Sequence, residues 1–501
     1  MISNNMQKHP PLSVFRLGRC PRAIFAALCI TVLLANNGAG APPDEGDCPA
    51  VTGVPGKGAD GDDAAPILIR KGMKIRADDL LLLRQLLPPE IWQHRAIFFH
   101  EGMSLEIGPC HRRYAIPAFY DEATAKFRGQ PTLDSEGNLS NYTAGTPFPP
   151  KTIDPRAPDA AMRWAWNMEK RFRGAGFAGK FRIVDFPTAI GSPHTYEGRF
   201  FMLQTSGRAD LPDQGYALDV GSSRDFVAGG EFTKPFDARF LSWRQMRSRE
   251  SDDAYREPDD TFVYVPTMRK VRRASTTWVD GLFLPSFGFS GDDGGGGMAF
   301  GDIIGGGGTT INPTSGKSSV ATVHVERGLS GLSLRPNAYV WRYKGERDVL
   351  APLNIKESGY PQQPDRNFGF SGLSLASDTW DVRRAIVIEG ALLDRDATLR
   401  TLTVYIDYQT RQPLYWITRT DRRRLMGVGI LAHRFSGDVI NYPEWPGGKQ
   451  ATVFEPVVAS FYNALEGRGG WRRESFDLRS VPFSNNKRRV MTSSSALMRN
   501  H

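Results

Sequence analysis

Apolar and polar residues alternate with a period of two in several consecutive segments between residues 380 and 435. In the clearest of these segments, Leu402, Val404 and Ile406 fall on one face and threonine and tyrosine fall on the other. β-Branched and aromatic residues at this spacing, separated by polar turns, predict antiparallel strands joined as a meander. The predicted strands are 381–393, 401–407, 414–418 and 428–435. A meander of this length forms a one-sided sheet or a barrel, so something must cover its apolar face.

The helical period appears most clearly in residues 157–174, where Ala161, Trp164, Ala165, Met168 and Phe172 form one apolar stripe. Such a stripe is typical of a helix packed on a core, and we expect this helix to plug one face of the sheet. A shorter helix is predicted at 77–87, before two prolines.

Further strands surround the central meander. Residues 260–274 read as a hairpin with Tyr264 on its first strand and Arg269, Arg272 and Arg273 on its turn and second strand. Trp341 lies on a strand at 337–344, and residues 450–476 are predicted to pair as two strands, although 457–465 is also compatible with a helix. The sequence therefore predicts a mainly β fold with some α-helix (α+β), built on a large antiparallel sheet.

The ends of the chain differ in composition from this middle. Residues 1–41 combine a basic start, an apolar run and a small-residue site, which is typical of a cleaved signal peptide; a retained membrane anchor is the alternative. We expect a flexible leader at 42–70, one domain at 71–476 with a Gly-rich insertion at 286–317, and a disordered basic tail at 477–501. Neither Cys29 nor Cys48 follows a lipoprotein signal pattern. An exported, soluble protein is predicted.

Net charge and cysteine content limit the possible partners. Loss of residues 1–41 removes four basic and no acidic residues, so the formal net charge of +9 falls to +5. This excess is too small to indicate nucleic-acid binding. The two remaining cysteines, Cys48 and Cys110, are most simply a disulfide in an oxidising compartment. A metal-binding or catalytic pair is disfavoured because no histidine stands at ligand spacing.

Motifs for catalysis and cofactor binding are absent from the sequence. Gly316-Lys317-Ser318 lacks the first glycine of a phosphate loop, and two Gly-x-Ser-Gly strings lack the last glycine of a hydrolase elbow. His100-Glu101 has no second histidine at zinc-protease spacing. Adjacent acidic pairs lie in turn-like segments, where solvated carboxylates are the simpler reading. We therefore predict no cofactor, no metal and no enzymatic activity.

Aromatic strands next to arginines are the remaining unusual feature. An incompletely covered apolar sheet can hold a lipid tail, and arginines at its rim can bind an anionic head group. The alternative is that the aromatic residues are ordinary core and the arginines ordinary surface. On the first reading, the candidate cavity residues are Trp164, Met168, Tyr264, Trp341, Leu402, Val404, Ile406 and Trp416, and the candidate rim residues are Arg269, Arg272 and Arg273.

Several strings resemble one known family. They are Asn141-Tyr142 with Gly145-Thr146-Pro147-Phe148-Pro149, Trp164-Ala165-Trp166-Asn167, Val263-Tyr264-Val265-Pro266 with Arg269–Ala274 and Asp280, Trp341-Arg342-Tyr343-Lys344-Gly345, and Tyr405-Ile406-Asp407. Together they resemble the bacterial domain of unknown function 1329, over about residues 77–473. The expanded Gly-rich segment and the run Arg422-Arg423-Arg424 depart from the family pattern.

The resemblance implies a fold like that of the lipoprotein carriers LolA and LolB, a curved antiparallel half-barrel with covering helices. It also implies a periplasmic carrier or binding protein for a lipid or another hydrophobic small molecule. Its partners would be an inner-membrane exporter of the resistance-nodulation-division type and an outer-membrane protein. The alternatives are a non-catalytic assembly partner at the outer membrane and, less favoured, an exported hydrolase.

Overall fold

The computed structural model describes residues 43–51, 66–186, 193–219, 223–266, 269–273, 281–282, 332–355, 368–369, 371–394, 399–445, 452–464, 470–480 and 482–498. The predicted signal peptide, most of the predicted leader and the Gly-rich insertion lie outside these residues.

Strands dominate the described part of the chain. They are β1 (Ala50–Val51), β2 (Ile67–Leu68), β3 (Lys74–Ile75), β4 (Leu105–Cys110), β5 (Thr132–Leu133), β6 (Leu139–Ser140), β7 (Gly176–Phe186), β8 (His194–Gln204), β9 (Arg224–Lys234), β10 (Ser242–Ser248), β11 (Asp260–Val265), β12 (Lys270–Arg273), β13 (Tyr339–Ala351), β14 (Thr379–Leu392), β15 (Thr401–Asp407), β16 (Pro413–Arg419), β17 (Leu425–Phe435), β18 (Phe454–Asn463) and β19 (Trp471–Arg479).

Helices are few and short among the described residues. The α-helices are α1 (Pro89–Gln93), α2 (Arg95–Phe98), α3 (Ala118–Lys126), α4 (Ala160–Glu169) and α5 (Asn485–Thr492). The predicted helix near residue 77 is a 3-10 helix, Ala77–Leu86, and α1 follows it from Pro89. No helix in the described ranges is both long enough and apolar enough to cross a membrane.

Fifteen strands form one open sheet in the order β12-β11-β10-β9-β8-β7-β19-β18-β17-β16-β15-β14-β4-β3, with β13 also paired to β14. β14 pairs with β13 along one edge and with β15 and β4 along the other; the pairing of β4 with β14 is parallel and the remaining pairings are antiparallel. The predicted fold class, a large curved half-barrel sheet with covering helices, is confirmed, and so is the central meander.

The two long meanders, β7–β12 and β13–β19, join where β19 pairs with β7, so that Phe476 lies opposite Phe181. Residues 457–465, for which a helix was the alternative, lie largely in strand β18. Strand β18 is buried on both faces, so its sequence is a nearly continuous apolar run rather than an alternating one, which explains why a helix remained an alternative.

Helices cover both faces of the β13–β18 half of the sheet. The N-terminal 3-10 helix and α1–α2 contribute to a cluster with Val387, Tyr415 and Val428 on one face. Helix α4 packs on the opposite face, which we call the inner face, against Ile388 and Val404. The predicted role of this helix as a plug is confirmed.

The prediction of a disordered tail from residue 477 is wrong for the described residues. Strand β19 continues to Arg479, and α5 begins after Ser484, whose hydroxyl accepts a hydrogen bond from the amide of Lys487. The 3-10 helix Ser495–Met498 follows, and its Leu497 is buried. The basic, serine-rich composition was misleading because one capping serine and one buried leucine are enough to fix this segment.

Candidate functional site

The residues predicted to line a ligand cavity form part of the protein core. Seven of them lie in the buried cluster between α4 and the inner face: Trp164, Met168, Trp341, Leu402, Val404, Ile406 and Trp416. The Trp341 indole donates a 2.8 Å hydrogen bond to the carbonyl of Pro336, and the Trp164 ring lies 5.5 Å from the Tyr408 ring. Tyr264 is also buried, on β11, outside this cluster. In this half of the sheet, protein side chains therefore occupy the place that the sequence assigned to a ligand.

The inner face continues past α4 into a second cluster. Phe461, under α4, pairs with Arg472, and Glu474 on the same face pairs with Ile183 of β7. Arg472 and Glu474 form an ion pair at 2.7 Å, which separates the two apolar regions. The second region spans β19 and β7–β11, and we call it the aromatic face. Its main aromatic members are Phe177, Phe181, Tyr196, Phe200, Phe226, Phe232, Trp243 and Phe476.

Rings on the aromatic face pack closely over strands that contain glycine. The Phe181 and Phe232 rings lie 5.5 Å apart, and the Phe232 and Trp243 rings 5.3 Å apart. A Cβ atom at Gly198 would come within 2.6 Å of the Phe181 ring, and one at Gly230 within 2.5 Å of the Trp243 ring. These glycines therefore make room for the rings. Among the described residues, none of the α-helices contributes a buried residue to this cluster.

Three buried polar atoms on the aromatic face have no hydrogen-bond partner in the described part of the structure. They are Oε1 of Gln204 on β8, Nε1 of Trp243 and Oγ1 of Thr261. Trp243 and Thr261 are fully buried. Trp243 pairs with Val263, and Thr261 lies two residues earlier on the same face of β11. A buried polar group without a partner costs about 1–3 kcal/mol, so this position favours an additional hydrogen-bonding group.

The inner side of β10 becomes polar beyond Trp243. Gln245 donates to Asp259 at 2.6 Å, and Arg247 and Arg335 pair with the same carboxylate at 3.2 and 2.7 Å. Burial acts to lower the pKa of Arg247, but the attraction of Asp259 outweighs it and the pKa is raised. Arg247 is therefore a permanent buried cation held by Asp259.

A second buried charge cluster follows α4. Nζ of Lys170 lies 3.2 Å from an oxygen of Asp225 and 2.7 Å from one of Asp252. Burial raises the pKa of Asp252 to about 6, against the opposing effect of the Lys170 ammonium. The pKa of Asp225 is lowered, since Lys170 and Arg173 overcome the opposite effect of burial. Lys170 thus ties the end of α4 to β9 and to the segment after β10.

The three predicted rim arginines lie at one edge of the sheet. Strand β12 is the edge strand, and Arg269 immediately precedes it. Arg272 is exposed and pairs in register with Val263, a member of the aromatic face. Arg273 forms an exposed ion pair with Asp260 at 2.6 Å. The structure therefore places Arg272 next to the aromatic face and Arg273 away from it.

Two cavities are lined by none of the rings that form the aromatic face. One, of about 30 Å³, is lined by Tyr114, Tyr120, Phe172, Arg411 and Phe454 among others. The other, of about 280 Å³, lies against residues 436–445 and is mostly polar. Pockets for small-molecule ligands typically enclose about 300–1,000 Å³, so neither suits a lipid tail.

Other chemistry is limited in the described residues. Cys48 and Cys110, the predicted disulfide pair, form a disulfide. No group of three or more histidine, cysteine or acidic side chains in the described ranges is arranged to hold a metal ion. Tyr114 donates a short hydrogen bond to Asp381, and burial raises the pKa of Asp381 to about 6.

Sequence reasoning missed the aromatic face and both charge clusters. The alternation Phe177, Phe181, Ile183 and the run Tyr196, Phe200, Met202 were present as signals, but glycines interrupt them. The charge clusters bring together residues that are far apart in the sequence, as in the ion pair of Lys170 with Asp252 and that of Arg335 with Asp259, which is 76 positions away. No local spacing could have predicted such a contact.

Comparison with known proteins supports the family resemblance. Residues 77–289 match the family described as "Protein of unknown function (DUF1329)", which confirms the resemblance over this segment; the motifs at 341–345 and 405–407 lie beyond it. No curated protein matches the chain.

Three solved structures are similar. A domain named for outer-membrane lipoprotein sorting from Vibrio parahaemolyticus has 13% identity and a TM-score of 0.36, covering 67% of this chain and 100% of its own. A DUF1329 family protein from Desulfovibrio piger has 12% identity and a TM-score of 0.38, covering 68% and 98%. A LolA superfamily protein from Nitrosomonas europaea has 13% identity and a TM-score of 0.28, covering 66% and 96%.

Proposed function

We propose that this protein is an exported, non-catalytic binding protein for a lipid or another hydrophobic molecule, and that the ligand lies against the aromatic face. The observation that carries the proposal is the pair of unpartnered polar atoms on Trp243 and Thr261, within a wall of aromatic rings to which none of the described α-helices contributes. Apolar walls with a few placed polar groups are typical of small-molecule sites.

The chemistry of this surface selects an amphiphilic ligand. An acyl chain against the rings would gain about 25 cal/mol per Å² of buried apolar area. An ester or hydroxyl group of the ligand could accept a hydrogen bond from Nε1 of Trp243 and pair with the hydroxyl of Thr261. The exposed guanidinium of Arg272 on the neighbouring edge strand would suit an anionic head group.

The disulfide supports the proposed periplasmic location. A disulfide such as Cys48–Cys110 persists in the periplasm and rarely in the cytosol, which supports export. The proposed partners remain an exporter in the inner membrane and a protein of the outer membrane. Two of the similar proteins are named for outer-membrane lipoprotein sorting and for the LolA superfamily, which agrees with this role.

Ligand extraction and competition test the proposal. Protein purified from the periplasm is extracted with organic solvent for mass spectrometry, and a fluorescent fatty acid is titrated into the delipidated protein. Trp243→Phe keeps an aromatic ring but removes the indole N–H, so we expect about five- to tenfold weaker binding. Trp416→Phe is the matched control, because the Nε1 atom of Trp416 is also buried without a partner in the described structure but lies under α4.

The two tryptophan variants distinguish the two candidate positions of the ligand, the aromatic face and the region under α4. If Trp416→Phe weakens binding and Trp243→Phe does not, the ligand lies under α4, where the sequence first placed it. If no lipid is extracted and no probe binds, the binding function itself is wrong.

A second candidate function is supported by the filled region under α4. Because seven predicted cavity residues are core, a structural partner of an outer-membrane protein would also explain the fold. In that case, crosslinking in the periplasm would capture one membrane protein, and the purified chain would contain no lipid.

A further inference from the structure

Hairpin turns at one end of the sheet carry exposed cations and exposed aromatic rings. Register places the turns after β9, β11, β14 and β16 at the same end, since Ser242 pairs with Tyr264, Thr401 with Arg419 and Gly427 with Asn463. We call this end the basic end and define it by residues 234–241, Arg269 and residues 420–424.

Phe236 is the most exposed aromatic residue on these turns, with 86% of its surface accessible, and Phe240 is 42% accessible. The guanidinium of Arg239 stacks on the Phe240 ring at 4.6 Å. The same turn is anchored by Ala238 and Leu241, which belong to the aromatic face. The turn thus holds two exposed rings firmly, although exposing them to water is unfavourable.

Further positive charge lies on another turn at the same end of the sheet. Arg422, Arg423 and Arg424 are consecutive and exposed on the turn between β16 and β17. Five strand spacings separate β9 from β17, so this turn lies within about 24 Å of the phenylalanines along the sheet. The run Arg422–Arg424 therefore adds charge to the same end of the molecule.

The opposite end of the sheet, which we call the acidic end, carries more exposed carboxylates, together with the exposed Arg249 and Arg256. Its turns present the exposed carboxylates Glu250, Asp253, Asp438 and Glu444. A molecule with this polarity approaches a negatively charged surface with the basic end first. Exposed rings next to cations fit the interface of an anionic bilayer, where rings enter the headgroup layer and arginines bind phosphate.

We propose that the basic end docks on the surface of an anionic lipid membrane, with Phe236 and Phe240 entering the headgroup layer. Docking does not depend on the ligand proposed above. If both proposals hold, it brings the aromatic face to the membrane through the turn that connects them.

Vesicle sedimentation tests the proposal with the full protein. Phosphatidylcholine vesicles, with or without phosphatidylglycerol, are mixed with the protein at low and high salt. We expect binding to the anionic vesicles that falls at high salt, because salt screens the attraction. Phe236→Ser should weaken it about tenfold and Arg422→Gln about fivefold.

Matched controls come from the other end of the sheet. Ile440 is 87% exposed and Arg249 is also exposed, and both lie on turns at the acidic end. Ile440→Ser and Arg249→Gln should leave vesicle binding unchanged. The proposal is overturned if the protein does not sediment with anionic vesicles or if the controls reduce binding as much as Phe236→Ser and Arg422→Gln. Loss of fatty-acid binding with vesicle binding retained would overturn only the proposed function.

Discussion

Replacing Lys170 with methionine tests whether the buried charge cluster after α4 holds the two halves of the inner face together. The ammonium contacts two carboxylates, and the side chains of Lys170 and Asp225 are each 4% exposed. Lys170→Met would leave Asp225 and Asp252 as neighbouring buried anions without their cation. Removing one partner of a buried ion pair costs about 3–5 kcal/mol, so we expect a loss of this size in the free energy of unfolding.

The loss should depend on pH in a direction set by the carboxylates. In the wild type, Lys170 opposes the effect of burial on the pKa of both carboxyl groups. Without Lys170, both pKa values rise. A group whose pKa is raised in the folded state stabilises the protein at low pH and loses that contribution as the pH rises. The variant should therefore approach wild-type stability near pH 4 and differ most near pH 8.

Urea denaturation followed by tryptophan fluorescence measures this difference at several pH values. Lys234→Met is the matched control, because Lys234 pairs with Glu197 at 2.9 Å but is 68% exposed, and exposed pairs contribute about 0–1 kcal/mol. Adding Asp252→Asn to Lys170→Met should restore part of the stability, since it removes one of the two unpaired charges. A loss below about 1 kcal/mol at pH 8, or one of the same size at every pH, would refute the reasoning.

Two further substitutions address other parts of the sheet. Asp381→Asn keeps an acceptor for the Tyr114 hydroxyl but removes a carboxyl whose pKa is raised to about 6. The free energy of unfolding of the variant should therefore increase relative to that of the wild type by about 3 kcal/mol between pH 4 and pH 7.5. Parallel plots of unfolding free energy against pH for the two proteins, measured by urea denaturation, would contradict this. Gly230→Ala would place a methyl group 2.4 Å from the Arg199 carbonyl and 2.5 Å from the Trp243 ring, and should lower the free energy of unfolding by about 1–3 kcal/mol. Gly215→Ala is the control for backbone strain alone, because Gly215 has a positive φ and open space around it.

The sequence predicted the elements better than it predicted what covers them. Alternation of Leu402, Val404 and Ile406 correctly identified one face of β15 as buried, because period two follows directly from strand geometry. The same alternation could not show whether this buried face of β15 contacts a ligand or helix α4. The stripe of Trp164 and Met168 contained that information, since a helix predicted to plug the sheet must fill the space above it.

Long-range pairing accounts for most of what sequence reasoning missed. Strand β19 meets β7 through pairs such as Phe476 with Phe181, and nothing in either segment specifies the other as its neighbour. Most rings of the aromatic face lie on β7–β10, and this pairing extends the face by adding Phe476 of the other meander. Predictions from local patterns therefore located the strands but could not assemble the face to which the proposed ligand binds.

The two regions of the inner face have different physical roles. Under α4, the chain buries its own tryptophans and aliphatic residues, which makes that half a stable scaffold. Beyond the Arg472–Glu474 pair, the aromatic face extends to an edge strand bearing exposed Arg272. Buried ion pairs of Lys170 with Asp225 and of Arg335 with Asp259 add to the β19–β7 pairing that joins the two regions. Ligand affinity and global stability should consequently respond to different residues, because the proposed ligand contacts the aromatic face, whereas protein side chains fill the region under α4.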